Sequence, residues 1–116
     1  MAAADQLIQS SLLGEAVDRG PALIFVADEE MRYIAVNQRA CDVLGYDREA
    51  LLRLRVTDVA RDPSATGEYA ELIERGGRNG AAILTCKDGS EVVFRYQAGE
   101  ATVAGLPFYI AVGFVD

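Results

Sequence analysis

Residues Asp28–Tyr46 read DEEMRYIAVNQRACDVLGY, and the order of turn, strand, cap and helix within them decides the fold. An acidic turn leads into a short strand, Tyr33–Val36. Asn37 follows, and its side-chain oxygen suits a helix N-cap, where it accepts from backbone N–H groups two or three residues on. Gln38–Leu44 supplies the helix, and Gly45 suits a left-handed C-cap that a residue bearing a Cβ resists. Upstream, Ala22–Ala27 is a continuous apolar run and reads as a strand buried on both faces. Two short strands around Asp28–Met31 thus form a hairpin that runs into a short capped helix.

Working outward, Asp47 caps a second short helix, Arg48–Leu52, and Leu54–Val59 holds a helical turn around Val56-Thr57-Asp58. Asp62-Pro63 pairs an N-cap with proline at the first helical position, which predicts a longer helix over Ser64–Arg75 with Tyr69, Leu72 and Ile73 buried. Gly76-Gly77 ends it, and the glycine-rich stretch to Gly80 reads as a helix stop plus a loose turn. It lacks the Lys-Ser/Thr of a phosphate loop and precedes a strand. Ala81–Lys87 and Glu91–Val103 pair across Asp88-Gly89, a two-residue hairpin signal. Ala104–Pro107 turns into Phe108–Val115, whose alternate positions are apolar on both sides, as for a central strand covered on both faces. At the other end, Asp5–Arg19 reads as a helix capped by Asp5, with an apolar stripe of Leu7, Ile8, Leu12, Leu13 and Ala16, stopped by Gly20-Pro21. The stripe requires a cover, either the back of the sheet or a partner chain. Strands, then helices, then strands make an α+β fold with an antiparallel sheet and its helices on one face.

The run of aspartate, short turn, strand, Asn37 and Leu44-Gly45-Tyr46 resembles the first half of a PAS domain. The resemblance continues in order and spacing to Asp116, which matches the Asp ending many PAS domains. It implies a five-stranded sheet in the order 2-1-5-4-3, over residues 21–116, with residues 1–20 forming a helix for dimerisation or sheet cover. Many members have Gly where Met31 stands. A turn with φ > 0 costs more for Met, so a different turn is expected here.

Composition sets the class. The chain has 116 residues, enough for one domain with a real core. Its formal net charge of −7 with no basic cluster argues against direct nucleic-acid binding. No apolar run approaches the roughly 20 residues of a membrane span, and the start does not read as a signal peptide. Cys41 and Cys86 form no C-x-x-C, and there is no His, which fits a reducing cytoplasm and argues against a metal site. Without His there is no Ser/His or Cys/His pair, and no catalytic residue is assigned. Both thiols read as packed small hydrophobes, with structure favoured over redox sensing.

The resemblance bears on cofactors residue by residue. Haem-binding members mostly use a His ligand, absent here. Flavin-binding light-oxygen-voltage members carry a reactive Cys that falls at Val56, within Arg53–Asp58, so neither haem nor flavin–thiol photochemistry is expected. PAS domains often place a small molecule between sheet and helices, and an apolar or aromatic ligand is the candidate. From the strands, Phe25, Ile34, Phe94, Tyr96, Phe108 and Ile110 are candidate lining residues. From the helical segments, Cys41, Leu44, Leu54, Val56 and Leu72 join them. The plainer alternative is that these residues fill the core at ordinary density. Arg95 and Gln97 alternate with Phe94 and Tyr96, and the expected register puts Tyr96 inside and Arg95 outside. Asn37 and Gly45 are structural, and Asn37→Asp or Asn37→Ser should keep most of the cap's stability.

The expected function is that of a non-enzymatic sensory module in a signalling protein, such as a sensor histidine kinase, a cyclic-dinucleotide enzyme or a transcription regulator. It would sense a small molecule or partner and transmit through its termini or dimer. The alternative is a ligand-free interaction and dimerisation module. A homodimer through Leu7, Ile8 and Leu12 is expected, with no nucleic acid or membrane as partner.

Overall fold

The structure is a computed structural model and describes residues 2–116, with side chains from Asp5 onward. In order it comprises α1 (Ala2–Arg19), β1 (Leu23–Ala27), β2 (Tyr33–Val36), α2 (Gln38–Leu44), α3 (Arg48–Leu51), α4 (Val56–Val59), α5 (Ala65–Arg75), β3 (Gly77–Thr85), β4 (Glu91–Val103) and β5 (Leu106–Val115). The strands form one antiparallel sheet in the order β2-β1-β5-β4-β3, so the first and last strands are neighbours. The core lies between one face of this sheet and α2 to α5. Leu23, Phe25, Ala27, Leu84 and Phe94 meet Ala40, Cys41, Leu44, Leu51 and Val59 there.

Two turns depart from expectation. Met31 adopts φ 67, the left-handed conformation expected to be avoided. The reason is the density of bonds around it. Asp28 accepts from the backbone N–H groups of Glu30 (2.9 Å) and Arg32 (3.0 Å), and Val56 N–H donates to the Met31 carbonyl at 2.8 Å. Burial works against ionised Asp28, yet the hydrogen bonds from Arg32 and Glu30 hold its carboxyl below the ordinary value. The β3–β4 loop is longer than two residues. Gly89 N–H bonds the Cys86 carbonyl, Cys86 N–H bonds the Ser90 carbonyl, and Gly89 has φ 88, a three-residue loop closed by a left-handed glycine. The two-residue hairpin is instead Ala104-Gly105, with φ 53 and 76.

Strand limits and coverage also differ. Gly77–Gly80 belongs to β3, paired with Tyr96–Gly99, rather than forming a loose turn. β1 is buried on one face only, through Leu23, Phe25 and Ala27. On β5, Val112 is 40% and Phe114 56% exposed, so the outer face of this central strand is open. Of the two expected roles of α1, sheet cover or dimerisation, the first is not seen, because α1 does not lie there. It extends from the body, packing on α2 at its C-terminal end, and leaves Leu7, Ile8, Leu12 and Leu13 exposed. Asp5 sits inside α1 rather than capping it.

Candidate functional site

Sheet chemistry creates the space. Ala27, Ala111, Ala98 and Ala82, from four successive strands, face the helices and form the floor of a cavity of about 100 Å³. Methyl side chains there leave room that larger residues would fill. Aromatic rings make the walls. Phe25 meets Phe94 edge-on at 5.3 Å, Phe94 stacks on Tyr96 at 5.5 Å, and Tyr69 meets Tyr109 edge-on at 5.7 Å. Val56, Ala60, Ala65 and Leu72 close it from the helical side.

Polar groups gather at the partly exposed rim. Arg78 Nε donates to the Tyr96 hydroxyl at 3.1 Å, and Arg78 Nη1 donates to Glu71 at 2.7 Å. Glu68 stands 3.6 Å from Arg78 Nη2. The Tyr96 bond, with the two carboxylates, pushes the guanidinium pKa up, and the group ties α5 to β3 and β4. A second tie holds α5 to the β1–β2 turn, where the Tyr69 hydroxyl donates to the Asp28 carbonyl at 2.6 Å. Burial pushes the Tyr69 pKa up, and Asp28 adds to the shift.

Tyr33 differs from both. It is 6% exposed and lines the cavity. Burial above all, with Tyr69 and Asp58 nearby, raises its pKa, and its hydroxyl has no hydrogen-bond partner among the described residues. No side-chain nitrogen or oxygen sealed inside the described residues lacks a partner. The Tyr33 hydroxyl is therefore not sealed, and Tyr33 is one of the residues that line the cavity.

The expected lining divides in two. Phe25, Val56, Leu72, Phe94 and Tyr96 line the cavity, and Arg95 points outward to Asp116 at 3.1 Å. The other six do not line it. Cys41 and Leu44 are buried in the core around α2, and Leu54 packs against that core. Ile34 is 46% exposed, because the β1–β2 register shifts beside it at Val26/Ala27. Phe108 and Ile110 lie on the outer face of β5, whose inward set is Tyr109 and Ala111. Both sets are apolar, so periodicity alone left the phase open. Missed were Tyr33, Tyr69 and Tyr109, the alanine floor, and the rim pair Glu68 and Arg78. Arg78 was hidden by the reading of its segment as a turn.

Asn37 caps α2 as expected, accepting from Ala40 N–H at 3.1 Å, and does more. It also accepts from Ile24 N–H at 3.0 Å and donates to the carbonyls of Val17 (2.7 Å) and Ala22 (2.8 Å). Asp18 accepts from Gln38 N–H at 3.0 Å and from Arg48 at 2.6 Å. The C-terminal end of α1 is thus locked to the domain while its apolar stripe stays free.

Both cysteines are free and buried, and neither lines the cavity. Burial raises the Cys41 thiol despite Arg48, a basic neighbour that sequence adjacency did not reveal. Cys86 follows β3 and donates to the Val43 carbonyl at 3.5 Å. Among the described residues, no His/Cys/Asp/Glu cluster is placed to hold a metal ion, and no helix is long and apolar enough to cross a membrane.

Residues 21–106 match the profile of a PAS domain family. Among solved structures, the chain is similar to a PAS domain from a two-component sensor histidine kinase, with 14% identity, a TM-score of 0.84, and 96% of this chain and 99% of the other covered. It is similar to the PAS domain of an HTR-like protein from Haloarcula marismortui, with 22% identity, a TM-score of 0.81, and 99% and 98% covered. It is also similar to a light-oxygen-voltage domain studied with a flavin analogue, with 17% identity, a TM-score of 0.73, and 90% and 84% covered. At these identities the likeness is one of fold. No curated protein matches the sequence.

Proposed function

The chain belongs to the PAS domain family, and from that premise we propose that it is a non-catalytic sensory module of a signalling protein. It takes a small molecule into the cavity under α5 and passes the change on through its termini. The carrying observation is the cavity itself. It is walled by rings, floored by alanines, and covered by a helix held to the sheet through Arg78 and Tyr69. A ligand that prefers one placement of α5 shifts the population toward it. Asn37 and Asp18 join the body to α1, which offers an outlet for that shift.

The flavin of the light-oxygen-voltage relatives does not suit these residues. Val56, which stands where the resemblance puts their reactive Cys, lines the cavity. A site of about 100 Å³ is also smaller than the roughly 150 Å³ that takes one benzene ring, while a flavin carries three fused rings. The purified protein is therefore expected to be colourless, and a visible band surviving gel filtration would refute this. A reducing cytoplasm is the expected setting for the two free thiols.

The exposed outer sheet face and the free stripe of α1 favour a second reading alongside the first, a homodimerising interaction module. Mass spectrometry of protein denatured directly from its own cells separates the two. A stoichiometric small molecule supports the sensor. Its absence, with no small molecule perturbing the cavity residues in solution, leaves only the interaction module.

A further inference from the structure

We propose that the cavity selects an uncharged, single-ring aromatic ligand whose hydrogen-bond acceptor meets the Tyr33 hydroxyl. The inference rests on the reading of the cavity as a ligand site and names the chemistry it takes.

Four observations define the class. Size comes first, because about 100 Å³ lies below the roughly 150 Å³ of an enclosed cavity that takes benzene, so a single ring enters only by extending into the open rim and fused systems are excluded. Shape follows from the floor. Alanines on adjacent strands leave an open floor against which a planar ring can lie on neighbouring methyls, and Phe94 and Tyr96 stand ready for stacked or edge-on contact. Charge is set at the rim. Arg78 is already matched by Glu71 at 2.7 Å and Glu68 at 3.6 Å, so an arriving carboxylate meets no uncompensated cation and two like charges. Polarity is set by Tyr33. A hydroxyl on a residue only 6% exposed, without a protein partner, is a donor waiting for an acceptor. Tyr96 and Tyr69, by contrast, already engage Arg78 and the Asp28 carbonyl. With its pKa raised by burial, Tyr33 stays protonated and able to donate throughout the neutral range.

Phenol, toluene and benzoate make the test. They share the ring and differ in carrying a neutral acceptor, no acceptor, or a charge. Each is titrated into the full chain and into Tyr33→Phe, with saturable shifts of the Ala98 and Ala111 amide signals in NMR as the readout. The expected result is that phenol binds the parent, that Tyr33→Phe weakens phenol about three- to ten-fold while leaving toluene unchanged, and that benzoate binds at least ten-fold more weakly than phenol. Removing an unpartnered hydroxyl should leave the melting temperature of the free protein equal or higher, which separates loss of the contact from loss of the fold. If phenol and toluene bind but Tyr33→Phe treats them alike, the role of Tyr33 is overturned and the cavity survives as a ligand site. Preferred binding of benzoate overturns the charge selection. If none of the three binds either protein, the class is overturned, and a ligand recovered from cells by mass spectrometry would then keep the sensory reading standing without it.

Discussion

Asn37 is 3% exposed and has both polar atoms of its side chain engaged, accepting from two backbone N–H groups and donating to two carbonyls. Asn37→Ala orphans all four at once, and the expected loss is roughly 2–4 kcal/mol in urea unfolding, more than a helix cap alone accounts for. Asn37→Asp keeps the acceptors but sets a carboxylate against the Val17 and Ala22 carbonyls, so it should lose nearly as much. This revises the expectation from capping alone, and an Asp variant as stable as the parent would contradict it. Met31, at φ 67, sits where an L side chain is strained. Met31→Gly should therefore raise stability by up to about 1 kcal/mol after its entropic cost, and an unchanged or lowered melting temperature would show that the turn carries no strain. The cap and the Gly45 terminus were legible because capping is decided within a few residues. The bonds from Asn37 to Val17, Ala22 and Ile24 were not, since they depend on where the chain returns in space.

At the scale of elements, α5 is the mobile candidate, because polar ties from its middle turn, at Tyr69 and Glu71, hold it over an incompletely filled space. Arg78→Met keeps the stem and removes the bonds to Tyr96 and Glu71. The expected cost is about 0.5–1.5 kcal/mol, with faster amide exchange across residues 65–75. Exchange indistinguishable from the parent would mean that the rim does not hold the helix. Element types and sheet order followed from capping, glycine punctuation and the family resemblance. The phase of β5 did not, because Phe108, Ile110, Val112 and Phe114 are as apolar as the inward set. What covers α1 was left open for a related reason. An apolar stripe shows that a partner surface is needed, but not that the partner is in the same chain, and α1 leaves its stripe uncovered.

For the whole molecule, that uncovered stripe and the open outer face of the sheet predict a homodimer. Charged replacements at Leu7, Ile8 and Leu12 should convert it to monomer in sedimentation while leaving the body folded, because the anchors at Val17 and Asp18 remain. A parent already monomeric at high micromolar concentration would refute this. The pH response follows from the perturbed groups. Asp28, Asp62 and Asp88 have pKa values lowered from 3.8 in the fold, so the stability they add is present above that value and lost as the pH falls below it. Tyr33 and Tyr69 are raised from 10.0, so their contribution is present below that value and lost as the pH rises above it. Melting temperature should therefore fall at both extremes, and a protein as stable at pH 3 or 11 as at 7 would contradict the assignment. The central claim is that occupancy of the cavity is felt beyond it. Hydrogen exchange with and without saturating phenol tests this most directly. Binding should slow exchange across residues 65–75 and alter it at residues 17–20, where α1 joins the body. Saturation that leaves both segments unchanged would contradict the account.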